Sequence, residues 1–91
     1  MVEEKSYRIV YTKRAVKDIE LLKNANLADK AKKLIALLEE NPYTEPPSFE
    51  KLKGELSGAF SRRLNRQHRL VYSVDENEKV VKIIRMWTHY E

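Results

Sequence analysis

An α+β fold is what this sequence predicts: a small antiparallel sheet with two N-terminal helices packed on one face. Three observations carry that expectation. A β-branched and aromatic run, Tyr7-Arg8-Ile9-Val10-Tyr11, stands near the N-terminus. Two stretches with apolar residues at helical spacing follow it. Three further strand-like runs, separated by polar turns, come after a loop. Consecutive strands joined by tight turns are antiparallel, and two amphipathic helices can cover one sheet face. The order is β-α-α-β-β-β, in one domain spanning residues 1–91, and the second sheet face stays partly open.

The elements read as follows. Tyr7 to Tyr11 form the first strand. Thr12 offers an N-cap, and Ala15, Val16, Ile19 and Leu22 mark a helix over about 13–23. Asn24-Ala25-Asn26 interrupts it. Leu27, Ala31, Leu34, Ile35 and Leu38 mark a second helix, which stops at Asn41-Pro42 because proline ends helices. Its opposite face carries Lys30, Lys32 and Lys33, and its apolar stripe is expected to pack on the sheet. Pro46-Pro47 lies in a loop. Strands then run near 59–64, 68–74 and 79–87. In the last of these, Val80-Val81 and Ile83-Ile84 break strict alternation, which suits a strand covered on both faces.

Composition narrows the class. With 91 residues, 42% of them hydrophobic and 35% charged, the chain is globular and not disordered. Cysteine is absent, and two histidines without ligand spacing do not make a zinc site, so neither a metal nor a cofactor is implied. The acidic start lacks a signal-peptide core, and no run reaches membrane-spanning length. A cytoplasmic protein without a membrane partner is the expectation.

The charge is concentrated in one place. Net charge is +4, yet from Ser57 to Val74 there are four arginines and no acid. Arg62, Arg63, Arg66 and Arg69 sit on two strand-like runs about a polar turn. That field suits a polyanion such as RNA or DNA, or an acidic protein. It also suits a solvated edge hairpin whose charges discourage aggregation. If Asn65-Arg66-Gln67 is a three-residue loop, Arg63 lies opposite Arg69, a destabilising pair unless an anion is shared. A two-residue loop would put Arg63 opposite Leu70. In both cases His68 lies on the strand face away from Arg69 and reads as structural.

Leu56-Ser57-Gly58, Ser61-Arg62-Arg63, His68-Arg69-Leu70-Val71-Tyr72 and His89-Tyr90 together carry a resemblance. The sequence resembles the Txe/YoeB branch of the RelE-like toxins of toxin–antitoxin modules, over nearly its whole length. The resemblance implies a ribosome-dependent endoribonuclease that cleaves mRNA and is held inactive by a cognate antitoxin. Its implied partners are that antitoxin and the ribosome with its mRNA, and it allows a homodimer. By position it places the catalytic set on Glu50, Arg69, His89 and Tyr90, with a supporting arginine at Arg63. Arg62 and Arg66 are expected to bind substrate beside Arg63. Glu91 follows the tyrosine, a departure from the family pattern.

Those residue types suit the chemistry. Cleavage through the 2′-hydroxyl needs a base for its proton, a cation for the charge on phosphorus, and an acid for the departing 5′-oxygen. A glutamate is ionised at neutral pH, an arginine fork matches phosphate oxygens, and a histidine can hold a proton to give. A tyrosine can stack on a base. Taken singly, Glu50 also reads as one of fourteen acids on a surface, and His89 as a solvated residue near a terminus. Two other functions fit the same fold: a toxin that inhibits a protein such as a topoisomerase, and a module that only docks phosphates.

Overall fold

A computed structural model of the chain describes residues 6–89, and for 88 and 89 the backbone alone. The elements are β1 (Arg8–Tyr11), α1 (Lys13–Asn24), α2 (Ala28–Glu40), β2 (Glu50–Lys51), a 3-10 turn (Gly54–Leu56), β3 (Ala59–Arg63), β4 (His68–Asp75) and β5 (Val80–His89). The sheet order is β1-β5-β4-β3-β2. It is mostly antiparallel, as expected. The parallel pair is β1 with β5, the first and last strands, and everything between them serves as the long connection that parallel pairing requires. β2 was not foreseen: two residues are too few to show a period.

Both helices begin and end for local reasons. Thr12 Oγ1 accepts the Ala15 amide at 3.0 Å, capping α1. The same hydroxyl donates to the Ile84 carbonyl at 2.8 Å and ties the helix start to β5. Asn26 adopts a left-handed conformation (φ 60°) that turns the chain between helices. α2 ends at Glu40, two residues before Pro42. The helical stripes of Ala15, Leu22, Ala31, Leu34 and Leu38 share one core with Leu64, Leu70, Tyr72, Val81, Ile83 and Met86 of the sheet side. Among the described residues no helix is long and apolar enough to cross a membrane.

Beyond Ile83 the pattern of β5 is set by two bulges, whereas Val80-Val81 precedes them in regular register with Asp75 and Val74. Its partners step from Tyr72↔Ile83 to Val71↔Arg85 to Arg69↔Thr88, so β5 gains a residue at each shift. The buried positions accordingly run Val81, Ile83, then Met86. β1 ends opposite Ile83, and among the described residues no strand continues that edge. Asp18 of α1 takes its place. This carboxylate is 4% exposed, and its Oδ2 accepts the Met86 amide at 2.9 Å, the Trp87 amide at 3.2 Å and Arg85 Nε at 3.0 Å. Three donors, one of them cationic, make its burial tolerable.

Arg62 departs from its expected role. It is 0% exposed, on the helix side of β3, because strand neighbours point to opposite faces. Its Nε donates to Tyr72 Oη at 3.0 Å, its Nη2 to the Pro42 carbonyl at 2.9 Å, and its Nη1 to the Pro47 carbonyl. The Phe49 ring lies 5.0 Å from the guanidinium carbon. Arg62 is therefore a buried tie between β3 and the 42–49 loop, and not a substrate-binding residue.

At another corner, the Glu76 carboxylate in the β4–β5 turn accepts from Tyr43 Oη at 2.5 Å, Tyr7 Oη at 2.9 Å and Lys79 Nζ at 2.9 Å. These contacts join the N-terminal segment, the loop after α2 and the turn. They hold the Glu76 carboxyl down to about 2, the Tyr43 hydroxyl first, then Lys79 and Tyr7.

Three outcomes are expected. Arg62→Ala strands the Pro47 carbonyl, leaves the Pro42 carbonyl and the Tyr72 phenol only each other, and opens a void, so urea unfolding should show a loss of about 3 kcal/mol or more. Arg66→Ala, on the exposed turn, should stay within about 0.5 kcal/mol. Glu76 has a folded pKa below its ordinary 4.5, so its contribution is present above that value and is lost as pH falls towards 2. The urea midpoint of Glu76→Gln should fall less than the parent's between about pH 5 and about pH 2.5. An equal fall in both proteins would contradict the cluster's role.

Candidate active site

The open sheet face gathers its polar groups by register. The hairpin turn is the three-residue one. Asn65 Oδ1 accepts the amides of Gln67 and His68, each at 2.8 Å, and the Leu64 amide reaches the His68 carbonyl at 2.8 Å. Arg63 consequently pairs with Arg69, Ser61 with Val71, and Glu50 of β2 with Ser61. Cross-strand partners share a face, as do residues two apart on one strand. Glu50, Ser61, Arg63 and Arg69 thus meet although they come from three strands.

Their contacts are direct. Arg69 Nη1 donates to Glu50 Oε1 and, at 2.8 Å, to Ser61 Oγ. Arg69 is buried, its side chain 7% exposed, whereas the Glu50 side chain is 58% exposed. One end of the ion pair is fixed in the sheet and the other faces solvent. A cleft of about 420 Å³ lies over them, lined by Pro47, Ser48, Glu50, Ser61, Arg63 and Arg69. Two guanidiniums against one carboxylate leave it cationic. Such a cleft can hold a phosphate against Arg63 and Arg69 with a carboxylate beside it.

The expected site residues are thus partly assembled. Glu50, Arg63 and Arg69 line the cleft. Arg66 is exposed in the turn and does not line it, and Arg62 is in the core. The backbone of His89 reaches the end of β5, where it pairs with His68, while Thr88 pairs with Arg69. Tyr90 and Glu91 lie outside the described residues. His68 is structural, as its strand position suggested: it is 4% exposed and stacks on Trp87 with ring centroids 3.6 Å apart. Ser61 was missed as a site residue. Its place two residues before Arg63 on one strand was the signal that could have found it. Nothing local marks Pro47 and Ser48.

Over residues 11–90 the chain matches the family described as YoeB-like toxin of bacterial type II toxin-antitoxin system. Toxin YoeB of Synechocystis sp. is 36% identical to it over 74 residues, 81% of this chain and 77% of that protein. A chain of the YoeB-YefM complex from Staphylococcus aureus superposes with a TM-score of 0.76 at 33% identity, covering 92% of this chain and 98% of its own. The YoeB dimer from the same organism gives 0.77 at 32% identity, covering 93% and 99%. The five-stranded sheet under two helices is the fold these proteins share. By sequence and by fold, this chain belongs to the YoeB-like toxins of bacterial type II toxin–antitoxin systems.

Proposed function

We propose that the chain is an endoribonuclease toxin that cleaves mRNA on the ribosome through the 2′-hydroxyl, with side chains as acid, base and charge stabiliser. The observation that supports this most is the Glu50–Arg69 ion pair, braced by Ser61 in the cationic cleft. A docking module needs cations on its surface. It has no use for a carboxylate held at the one buried arginine that faces the cleft.

In this reading the scissile phosphate lies against Arg69 and Arg63. Glu50 takes the proton of the adjacent 2′-hydroxyl, whose oxygen attacks phosphorus. The guanidiniums stabilise the charge gathering on the phosphoryl oxygens. His89 protonates the 5′-oxygen as its bond to phosphorus breaks, leaving a 2′,3′-cyclic phosphate and a 5′-hydroxyl. Tyr90 stacks on a flanking base. All of these side chains stay chemically unchanged over the cycle, apart from the protons of Glu50 and His89. Neither a metal nor a cofactor is called for.

The reading also supplies partners. A Staphylococcus aureus relative is seen in complex with YefM and also as a dimer. By analogy, this chain is held by a cognate antitoxin whose acidic groups answer the exposed Arg63 and Arg66 of the basic hairpin, and its free form pairs with itself. Its site of action is then the cytoplasm, where ribosomes are.

The test is single-turnover cleavage of ribosome-bound mRNA. Arg69→Ala should slow it by about 100- to 1,000-fold, the loss typical of one removed charge-stabilising donor. The fold should persist by circular dichroism, since the Glu50 carboxylate left behind is already solvated. Arg69→Lys should recover little, because an ammonium lacks the planar fork. His89→Gln should slow cleavage by about 100-fold or more. Full activity in purified Arg69→Ala would remove the assignment. Translation that stops without new mRNA ends would point to a protein target instead.

A further inference from the structure

Two grooves meet at Pro47 and Arg63. One is the cleft of Glu50, Ser61 and Arg69. The other, about 330 Å³, runs along α2 and is lined by Lys30, Lys33, Leu34, Leu37, Pro47 and Arg63. Positions 30, 33, 34 and 37 follow the i, i+3, i+4, i+7 spacing of a single helix stripe. This stripe is rotated from the one that fills the core through Ala31, Leu34 and Leu38. Lys30 and Lys33 are exposed, Leu37 is half-buried and Leu34 is buried. The groove thus has a basic rim and an apolar floor, and no acid lines it. Lysines on a helix are ordinarily just solvated. These share a groove with Arg63, the residue that the hairpin register pairs with Arg69.

We propose that this groove is the path of the RNA strand away from the scissile phosphate. Lys30 and Lys33 hold backbone phosphates of nucleotides next to the cut, and Leu34, Leu37 and Pro47 carry the ribose and base between them. The inference rests on the nuclease reading of the cleft. One helical turn separates the two lysines, roughly 5–6 Å between Cβ atoms, which is on the order of one nucleotide step. No aromatic ring lines the groove, so base stacking adds little there and the contact follows the backbone without reading sequence. Its effect is on binding more than on the chemical step. An acidic peptide could also use a basic rim over leucines. RNA is favoured because the groove runs into the cleft at Arg63, where a strand passing between the two would meet a cation at every stage.

The test is equilibrium binding of a single-stranded RNA whose 2′-hydroxyls are methylated, so that it cannot be cut. Fluorescence anisotropy is read between about 50 and 200 mM salt for the parent, for Lys30→Ala/Lys33→Ala and for Arg69→Ala. Each phosphate contact adds about 0.7 to the slope of log affinity against log salt for single strands. The double lysine variant should therefore flatten that slope by about 1.4 and bind about tenfold or more weakly at the low-salt end. Its thermal midpoint should match the parent's, and on ribosome-bound mRNA its KM should rise more than its kcat falls. A parental slope and affinity in the lysine variant, alongside weakened binding by Arg69→Ala, would overturn the groove as an RNA path and leave the nuclease reading standing. Loss of polyglutamate binding in the lysine variant with RNA binding intact would overturn it in favour of an acidic peptide. A message left uncut by the parent protein would overturn the nuclease reading and this inference with it.

Discussion

The candidate site depends on a buried cation that does not line it. Arg62 holds the Pro42 and Pro47 carbonyls and the Tyr72 phenol from inside the domain. Tyr72 Oη donates to the same Pro42 carbonyl at 2.8 Å, closing a small polar network beneath the sheet. Those two prolines bracket the loop that delivers β2, and β2 carries Glu50. A segment with two consecutive prolines has few backbone donors of its own with which to join a sheet. A side-chain donor with five N–H groups is a direct way to fasten it. The Phe49 and Tyr72 rings beside the guanidinium add cation–π attraction. With the loop pinned, a two-residue strand suffices to set a carboxylate against Arg69.

Adjacent arginines therefore have opposite fates. Arg62 faces the helices and Arg63 the open cleft, and only the strand's alternation separates them. Nothing in Ser61-Arg62-Arg63 says which one faces which side, and both read equally well as substrate-binding. The parity is decided by Leu64 and Phe60, which face the core two residues to either side of Arg62. The hairpin register hinges on Asn65, whose carboxamide takes two turn amides. The Thr12 cap and the stop before Pro42 were legible because each is a local event. The pairing of β1 with β5 and the meeting of Glu50 with Arg69 were not, since both join residues far apart in sequence. Glu50 could be named from the family resemblance alone.

β5 shows the same division. Its apolar content was plain, but its register beyond Ile83 has a cause outside the strand. The cause is Asp18 of α1, which accepts the amides of Met86 and Trp87 where β1 has already turned into helix. The bulges then advance the strand by two residues relative to β4, so that Thr88 lies opposite Arg69. A carboxylate near the middle of the first helix in this way sets the register of the last strand beside the site.

The capping of that edge also bears on how this molecule can meet other chains. An extended strand with unmet amides and carbonyls is an invitation for a foreign peptide to extend the sheet. Here the far stretch of β5 has its donors and acceptors taken by Asp18 and Thr12, while the opposite border is β2, two residues long and preceded by two prolines. Both stretches are poor templates, which leaves β1, four residues at Arg8–Tyr11, as the edge with the longest run of strand backbone facing outward. At the site end of the sheet, partners that wrap the molecule with their side chains are favoured over partners that lengthen it.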